Sequence, residues 1–116
     1  MAMEQRVAAY LLTKGPDVRI LADEQQAGHI VLFTGEFIRF VGTDIPNHRE
    51  QAADPARYVD YILVPNNVTP DQDFIVALYP DIYEQGLPTL TLEREWNPPN
   101  QGWWEHSFRL YRVNRK

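Results

Sequence analysis

The sequence contains no cysteine, one serine and two lysines, and these shortages exclude several classes of chemistry. Without cysteine there are no disulfides, thiol nucleophiles or thiolate-bound zinc or iron–sulfur sites. Ser107 lies in a predicted strand and outside any G-x-S-x-G pattern, so we expect no serine hydrolase. Neither Lys14 nor Lys116 belongs to a Gly-Lys-Ser/Thr phosphate loop.

Long hydrophobic runs are also missing. A membrane-spanning helix needs about 20 mainly apolar residues, and no segment approaches that length. The N-terminus has no hydrophobic stretch typical of a secretory leader. The chain has 116 residues, of which 44% are hydrophobic, and this suits one globular domain with its own core.

The net charge of −5 is unevenly distributed. Residues 1–105 carry 7 basic and 16 acidic residues, whereas residues 106–116 carry a charge of +4. An acidic body argues against nucleic-acid binding, which needs cations to contact phosphates. The basic end is either a solvated strand end or a segment near an anionic membrane surface.

The hydrophobic periodicity predicts helices and strands that alternate along the chain. Such an order favours a parallel sheet with helical crossovers, and the last two strands favour an antiparallel pair. The predicted fold class is α/β, a three-layer Rossmann-like mainly parallel sheet with a C-terminal antiparallel hairpin. The predicted helices are 4–14, 24–34, 48–53, one beginning at Thr69, and a turn at 81–85; the predicted strands are 18–22, 37–41, 58–64, 89–96 and 107–113.

Two of these predictions depend on particular residues. Thr69 is the expected N-cap of a helix whose first position is Pro70, with an apolar face that includes Leu78. In the strand at 89–96, simple alternation places Leu92 and Trp96, together with Leu90, on one face.

Polar side chains follow the predicted strands at their carboxyl ends, where open α/β sheets bind ligands. The carboxylates and amides there suit a sugar or a hard cation, and they equally suit helix caps and loops; Asp23 has the sequence of a cap for the second helix. Acids at that helix start would repel a phosphate, and no glycine-rich loop is present, so we expect no nucleotide cofactor. The candidate ligand-binding residues are Asp23, Asp44, His48, Asn66 and Asn67, with Asp71 and Asp73 nearby.

Three tryptophans, Trp96, Trp103 and Trp104, flank the predicted hairpin loop and form a candidate interface. They are suited to stacking on a sugar or to anchoring at a membrane interface. The alternative is that they cover the open end of the sheet or a partner contact. The three histidines match no metal-binding spacing, so we expect no metal site.

Four segments follow one another in a recognisable order. They are Val18-Arg19-Ile20-Leu21-Ala22-Asp23, then Asp54 to Pro65 (DPARYVDYILVP), then Tyr79 to Gly86 (YPDIYEQG), and finally Phe108-Arg109-Leu110-Tyr111-Arg112-Val113. In the order of these segments, and over residues 4–113, the chain resembles the soluble C-terminal domain of bacterial polytopic membrane glycosyltransferases, relatives of the dolichyl-phosphate-mannose–protein mannosyltransferases.

This resemblance implies a domain that follows the last transmembrane helix and faces the extracytoplasmic side of a bacterial membrane. In that family the acidic residues of membrane-portion loops carry the transfer reaction, so no catalytic residue is assigned to this chain. Residues 1–116 would then be one domain excised from a larger membrane protein. Its implied partners are the membrane portion of the same polypeptide and a lipid-linked sugar or an acceptor.

The resulting expectation is a non-catalytic accessory domain that helps to position donor, acceptor or partner. One alternative is a stand-alone sugar- or metal-binding α/β module. Another is a small enzyme that uses carboxylate acid–base chemistry, for example Asp23 with Asp44 or His48. That enzyme would need two groups whose environments separate their pKa values.

Overall fold

The computed structural model describes residues 3–15, 17–35, 40–41, 48–66, 68–98 and 107–114. Within these ranges it describes all side chains except those of residues 24–26 and of residue 48. The elements of this part of the chain alternate as the periodicity predicts. They are α1 (Met3–Leu12), β1 (Ile20–Leu21), α2 (Glu24–Thr34), β2 (Phe40–Val41), α3 (His48–Ala53), α4 (Pro55–Tyr58), β3 (Tyr61–Pro65), α5 (Phe74–Leu78), α6 (Ile82–Gln85), β4 (Leu90–Trp96) and β5 (Phe108–Val113).

One five-stranded mixed sheet organises the fold, with strand order β2-β1-β3-β5-β4. The β2, β1 and β3 strands are parallel, whereas β5 is antiparallel to both β3 and β4. The predicted mixed α/β class and the antiparallel C-terminal pair are therefore confirmed. The second strand of that pair, β5, lies beside β3, so β4 forms the edge of the sheet.

The strands contribute alternate residues to two hydrophobic clusters, as the pleat of a strand requires. The first cluster joins Ile20 and Leu63 to apolar residues of α1 and α2. The second joins Leu21 and Ile62 to apolar residues of α3, α5 and α6. Because both clusters draw on β1 and β3, these strands are buried on either side, which explains their nearly continuous apolar sequence.

A β-bulge in β4 overturns the prediction that Leu90, Leu92 and Trp96 share one face. Leu92 pairs with Tyr111 and Arg94 with Leu110, so Glu93 is an extra residue in the ladder. An extra residue reverses the alternation beyond it. Trp96 therefore joins the first cluster, whereas Leu90 packs against the second.

The bulge also directs Glu93 toward α1. Its carboxylate forms an ion pair with Lys14 Nζ at 2.6 Å and accepts a hydrogen bond from the Tyr10 hydroxyl at 2.9 Å. The hydrogen bond with Glu93 raises the pKa of Lys14. Tyr10 in turn packs edge-on against Trp96, with ring centroids 5.5 Å apart. The edge strand is thereby tied to the first helix.

The helix predicted to begin at Thr69 begins instead at Phe74, with Asp73 as its N-cap. The capping interactions of Thr69 do form, since its N–H donates to Gln72 Oε1 at 3.0 Å, but they close a single turn. Leu78, expected on the buried face, is 43% exposed. The shorter helix ends before Pro80, as that proline predicts.

The segment before β3 also differs from its prediction. Tyr58, expected as the first residue of that strand, belongs to α4, and β3 begins at Tyr61. Pro55 begins α4 at a position where proline is favoured. The predicted helix at 48–53 is confirmed with the same bounds.

The opposite environments of two apolar residues in β4 provide a test of the bulge. Trp96 is 6% exposed and Leu92 is 45% exposed. Trp96→Ala is expected to lower the free energy of unfolding by about 3–5 kcal/mol, because it leaves a cavity in the first cluster. Leu92→Ala is the matched control and should cost less than about 1 kcal/mol. Urea denaturation of both variants measures the difference, and equal losses would contradict the reversed alternation.

Candidate functional site

The order of the parallel strands creates a crevice at their carboxyl ends. The chain leaves β1 for β2 on one side and then crosses back to β3 on the other. In open α/β sheets, ligands bind where the connections diverge in this way. Asp23 lies two residues beyond the end of β1, at this position.

Two carboxylates at the crevice hold the first turn of α5. Asp23 Oδ2 accepts a hydrogen bond from the Phe74 N–H at 2.8 Å. Asp73 Oδ1 accepts from the N–H groups of Ile75 at 2.8 Å and Val76 at 3.1 Å. Three amides that a helix start leaves without helical partners are thus satisfied by two acids from distant parts of the chain.

Asp73 is buried, and one of its oxygens is unsatisfied. Only 1% of its surface is exposed, and Oδ2 has no hydrogen-bond partner. Burial raises the pKa of Asp73 to about 6; the negative charge of Asp23 adds to this effect, and the bonds from Val76 and Ile75 oppose it. A buried acceptor without a donor costs roughly 1–3 kcal/mol.

A cleft of about 340 Å³ opens beside these two acids. One wall is Phe74, and Arg49 of α3 also lines it. The exposed turn of residues 70–72 contributes Asp71 and Gln72. We call this the Asp23–Asp73 cleft. It combines hydrogen-bond acceptors, donors and an aromatic ring, which is the composition expected of a small-molecule site.

The helices on the two sides of the cleft are fastened to one another. The Tyr79 hydroxyl, at the C-cap of α5, donates to the carbonyl of Ala52 in α3 at 2.8 Å. With Asp23 holding its N-terminus, α5 is therefore fixed at both ends despite its five residues. This arrangement gives the cleft a rigid frame, as a preformed site requires.

Asn66, another candidate ligand-binding residue, lies at the end of β3 and has a structural role. Its side-chain oxygen accepts from the Ser107 N–H at 2.8 Å, and its own N–H donates to the Ser107 carbonyl at 3.0 Å. It lines a smaller cleft of about 200 Å³ with Tyr83 and Glu84. Neither cleft contains both Asp23 and Asn66.

The remaining sequence candidates divide into two groups. Trp96 is buried and contacts Tyr10, so it takes the alternative role of covering the sheet rather than presenting a free surface. His48 begins α3, but its side chain is not described. Outside the described residues lie Asp44, Asn67, Trp103 and Trp104.

Two contributors to the cleft were not among the candidates chosen from sequence: Asp73 was noted only as lying nearby, and Arg49 was not singled out. Asp73 directly precedes the apolar run Phe-Ile-Val-Ala-Leu, and that pattern is itself an N-cap signal. The pattern at Thr69 matches an N-cap more fully, so the helix start was predicted there instead of at Asp73. Arg49 carries no local signal, since only the packing of α3 beside α5 brings it to the cleft.

Acidic residues are numerous near the cleft, yet within the described ranges no three His, Cys, Asp or Glu side chains are grouped as metal ligands. The Asp71 carboxylate accepts a hydrogen bond from the Thr69 hydroxyl.

The buried carboxyl of Asp73 makes stability depend on pH. Because its folded-state pKa is raised to about 6 from 3.8, ionisation opposes folding as pH rises from about 4 to 6. Asp73→Asn retains a capping oxygen and should increase the free energy of unfolding by about 2–3 kcal/mol at pH 7 while giving no gain at pH 4.

Asp81→Asn is the control for that change. Asp81 is the exposed N-cap of α6, and its side chain forms no capping bond. Urea titrations of both variants between pH 4 and 8 provide the measurement. A gain for Asp73→Asn that does not vary with pH would contradict the role of its buried charge.

Comparison with protein-family models, with curated proteins and with solved structures found no match to this chain. Among the described helices, none combines the length and hydropathy that a membrane crossing requires.

Proposed function

We propose that this chain is a non-catalytic accessory domain of a membrane-embedded glycosyltransferase. In this proposal it is a three-layer Rossmann-like domain on the extracytoplasmic face of a bacterial membrane, continuous with the membrane portion of the same polypeptide. It helps to position a lipid-linked sugar donor, an acceptor or a partner chain. The transfer reaction itself belongs to the membrane portion.

The main support for this proposal is the position in the fold of the four segments that resemble the family. Three of them contain β1, β3 and β5, which are consecutive strands in the middle of the sheet. The fourth contains α6, whose Tyr83 carbonyl accepts hydrogen bonds from the Tyr111 hydroxyl and from Arg109 Nη1, both at 2.7 Å. The four segments are thus joined to one another in the fold by strand pairing and by hydrogen bonds, which supports reading them together.

The chemistry of the cleft is consistent with positioning. Asp23 and Asp73 both accept hydrogen bonds from backbone amides of α5. These hydrogen bonds hold both carboxylates in place, and polar groups held in this way are suited to orienting a ligand.

The gene that encodes the chain offers the most direct test. We expect the reading frame upstream of Glu4 to continue through several hydrophobic spans, each of about 20 residues. Sequencing this region provides the result. A stop codon in frame immediately upstream would overturn the proposal, because the domain would then have no membrane portion of its own.

The contributions of the membrane portion and of this chain to sugar transfer can be measured separately. Deleting residues 4–113 from the membrane-bound parent should slow sugar transfer by about 10- to 100-fold, since mispositioned reactants lose that order of rate. The isolated chain should show no transfer from a lipid-linked donor. Immunoblots of membranes control for expression. Turnover by the isolated chain, or full activity of the deleted parent, would contradict the proposal.

A further inference from the structure

We propose that the Asp23–Asp73 cleft binds a neutral sugar, with Asp73 Oδ2 as an acceptor for a sugar hydroxyl and Arg49 as a donor to the ligand. Its place in glycosyl transfer rests on the function proposed above. Binding itself concerns only this chain and can be tested on it.

The first support is the unsatisfied oxygen. Asp73 lines the cleft with 1% of its surface exposed, and Oδ2 has no partner although Oδ1 receives two hydrogen bonds. Native structures satisfy nearly all buried polar atoms, so an unsatisfied one calls for an explanation. A sugar hydroxyl is a neutral donor that would satisfy this atom.

The second support is that capping does not require a carboxylate at this position. Asparagine is an equally good N-cap, and it would remove a charge that is both buried and close to Asp23. The carboxylate therefore costs stability that a purely structural residue would not cost. Such costs are typical of residues that serve a binding site.

The remaining lining residues suit a sugar rather than an ion. Phe74 offers an apolar ring surface, on which the C–H face of a pyranose can pack, and Arg49 and Gln72 provide planar hydrogen-bond donors. The volume of about 340 Å³ is within the range of small-molecule sites. Among the described residues three carboxylates line the cleft, those of Asp23, Asp71 and Asp73, but they are not grouped as metal ligands, and Arg49 would repel a cation.

Access to Oδ2 depends on the rim of the cleft. The atom is covered in the structure, and the adjoining rim is the exposed turn of residues 70–72. This turn is closed by its own hydrogen bonds between Thr69 and Gln72. The proposal therefore includes a small displacement of this turn, with its internal bonds preserved, when a hydroxyl group reaches Asp73.

Titration of the full chain with methyl mannoside, methyl glucoside and methyl galactoside, followed by amide NMR spectra, tests the proposal. We expect the Phe74, Ile75 and Val76 amides to shift and saturate for at least one sugar, with a dissociation constant on the order of 1 mM. Asp73→Asn should weaken binding at least about 10-fold by replacing an acceptor with a donor.

Two arginine variants separate a direct contact from a general loss of structure. Arg49→Ala should also weaken binding, whereas Arg57→Ala, an exposed arginine of α4 outside the cleft, should not. Because Asp73→Asn is expected to be more stable at pH 7, misfolding would not explain its loss of binding. A spectrum with native dispersion confirms the fold of each variant.

Three results would overturn the inference. They are the absence of saturable shifts with every sugar, sugar-induced shifts that survive both Asp73→Asn and Arg49→Ala, and shifts of the same amides by calcium chloride alone without any response to sugar. Each leaves the accessory-domain proposal untouched, since that proposal is tested by the upstream reading frame and by the deleted parent.

Discussion

The central strand β3 is the constraint on which the fold depends. It pairs in parallel with β1 and antiparallel with β5, and its residues Ile62, Leu63 and Val64 are each at most 1% exposed. A strand buried on both faces must be covered by helices on either side. Leu63 packs with residues of α1 and α2, Ile62 packs with residues of α3, α5 and α6, and the parallel pairing leaves the carboxyl ends of β1 and β3 side by side.

The Asp23–Asp73 cleft follows from this arrangement, and it holds two carboxylates close to one another. Asp23 arrives from the end of β1 and Asp73 from the segment after β3, and together they hold the short helix α5. Burial raises the pKa of Asp73, the nearby charge of Asp23 adds to this rise, and the second oxygen of Asp73 is unsatisfied. Such a site lowers the stability of the folded protein when no ligand is bound. A ligand that binds only the folded state restores that stability, because its binding favours folding.

Sequence patterns predicted the order of elements well and their limits less well. Buried apolar runs located β1 and β3, and the helix at 48–53 has the predicted bounds. One error arose where two local N-cap signals competed. Thr69 and Asp73 are both good N-caps, and only Asp73 is placed where Asp23 can also reach the helix start. In β4, alternation failed at Glu93, an extra residue in the ladder whose carboxylate pairs with Lys14.

The amino-acid sequence by itself determined the α/β class, the antiparallel C-terminal pair and the presence of Asp23 beyond the first strand, because these follow from periodicity and from the polarity of neighbouring residues. Tertiary structure alone decided that Asp73 and Arg49 join Asp23, and that Trp96 is buried behind a bulge. The physical reason is distance along the chain: Asp23 and Phe74 are 51 residues apart. Only packing around β3 brings such residues together, and no local pattern records it.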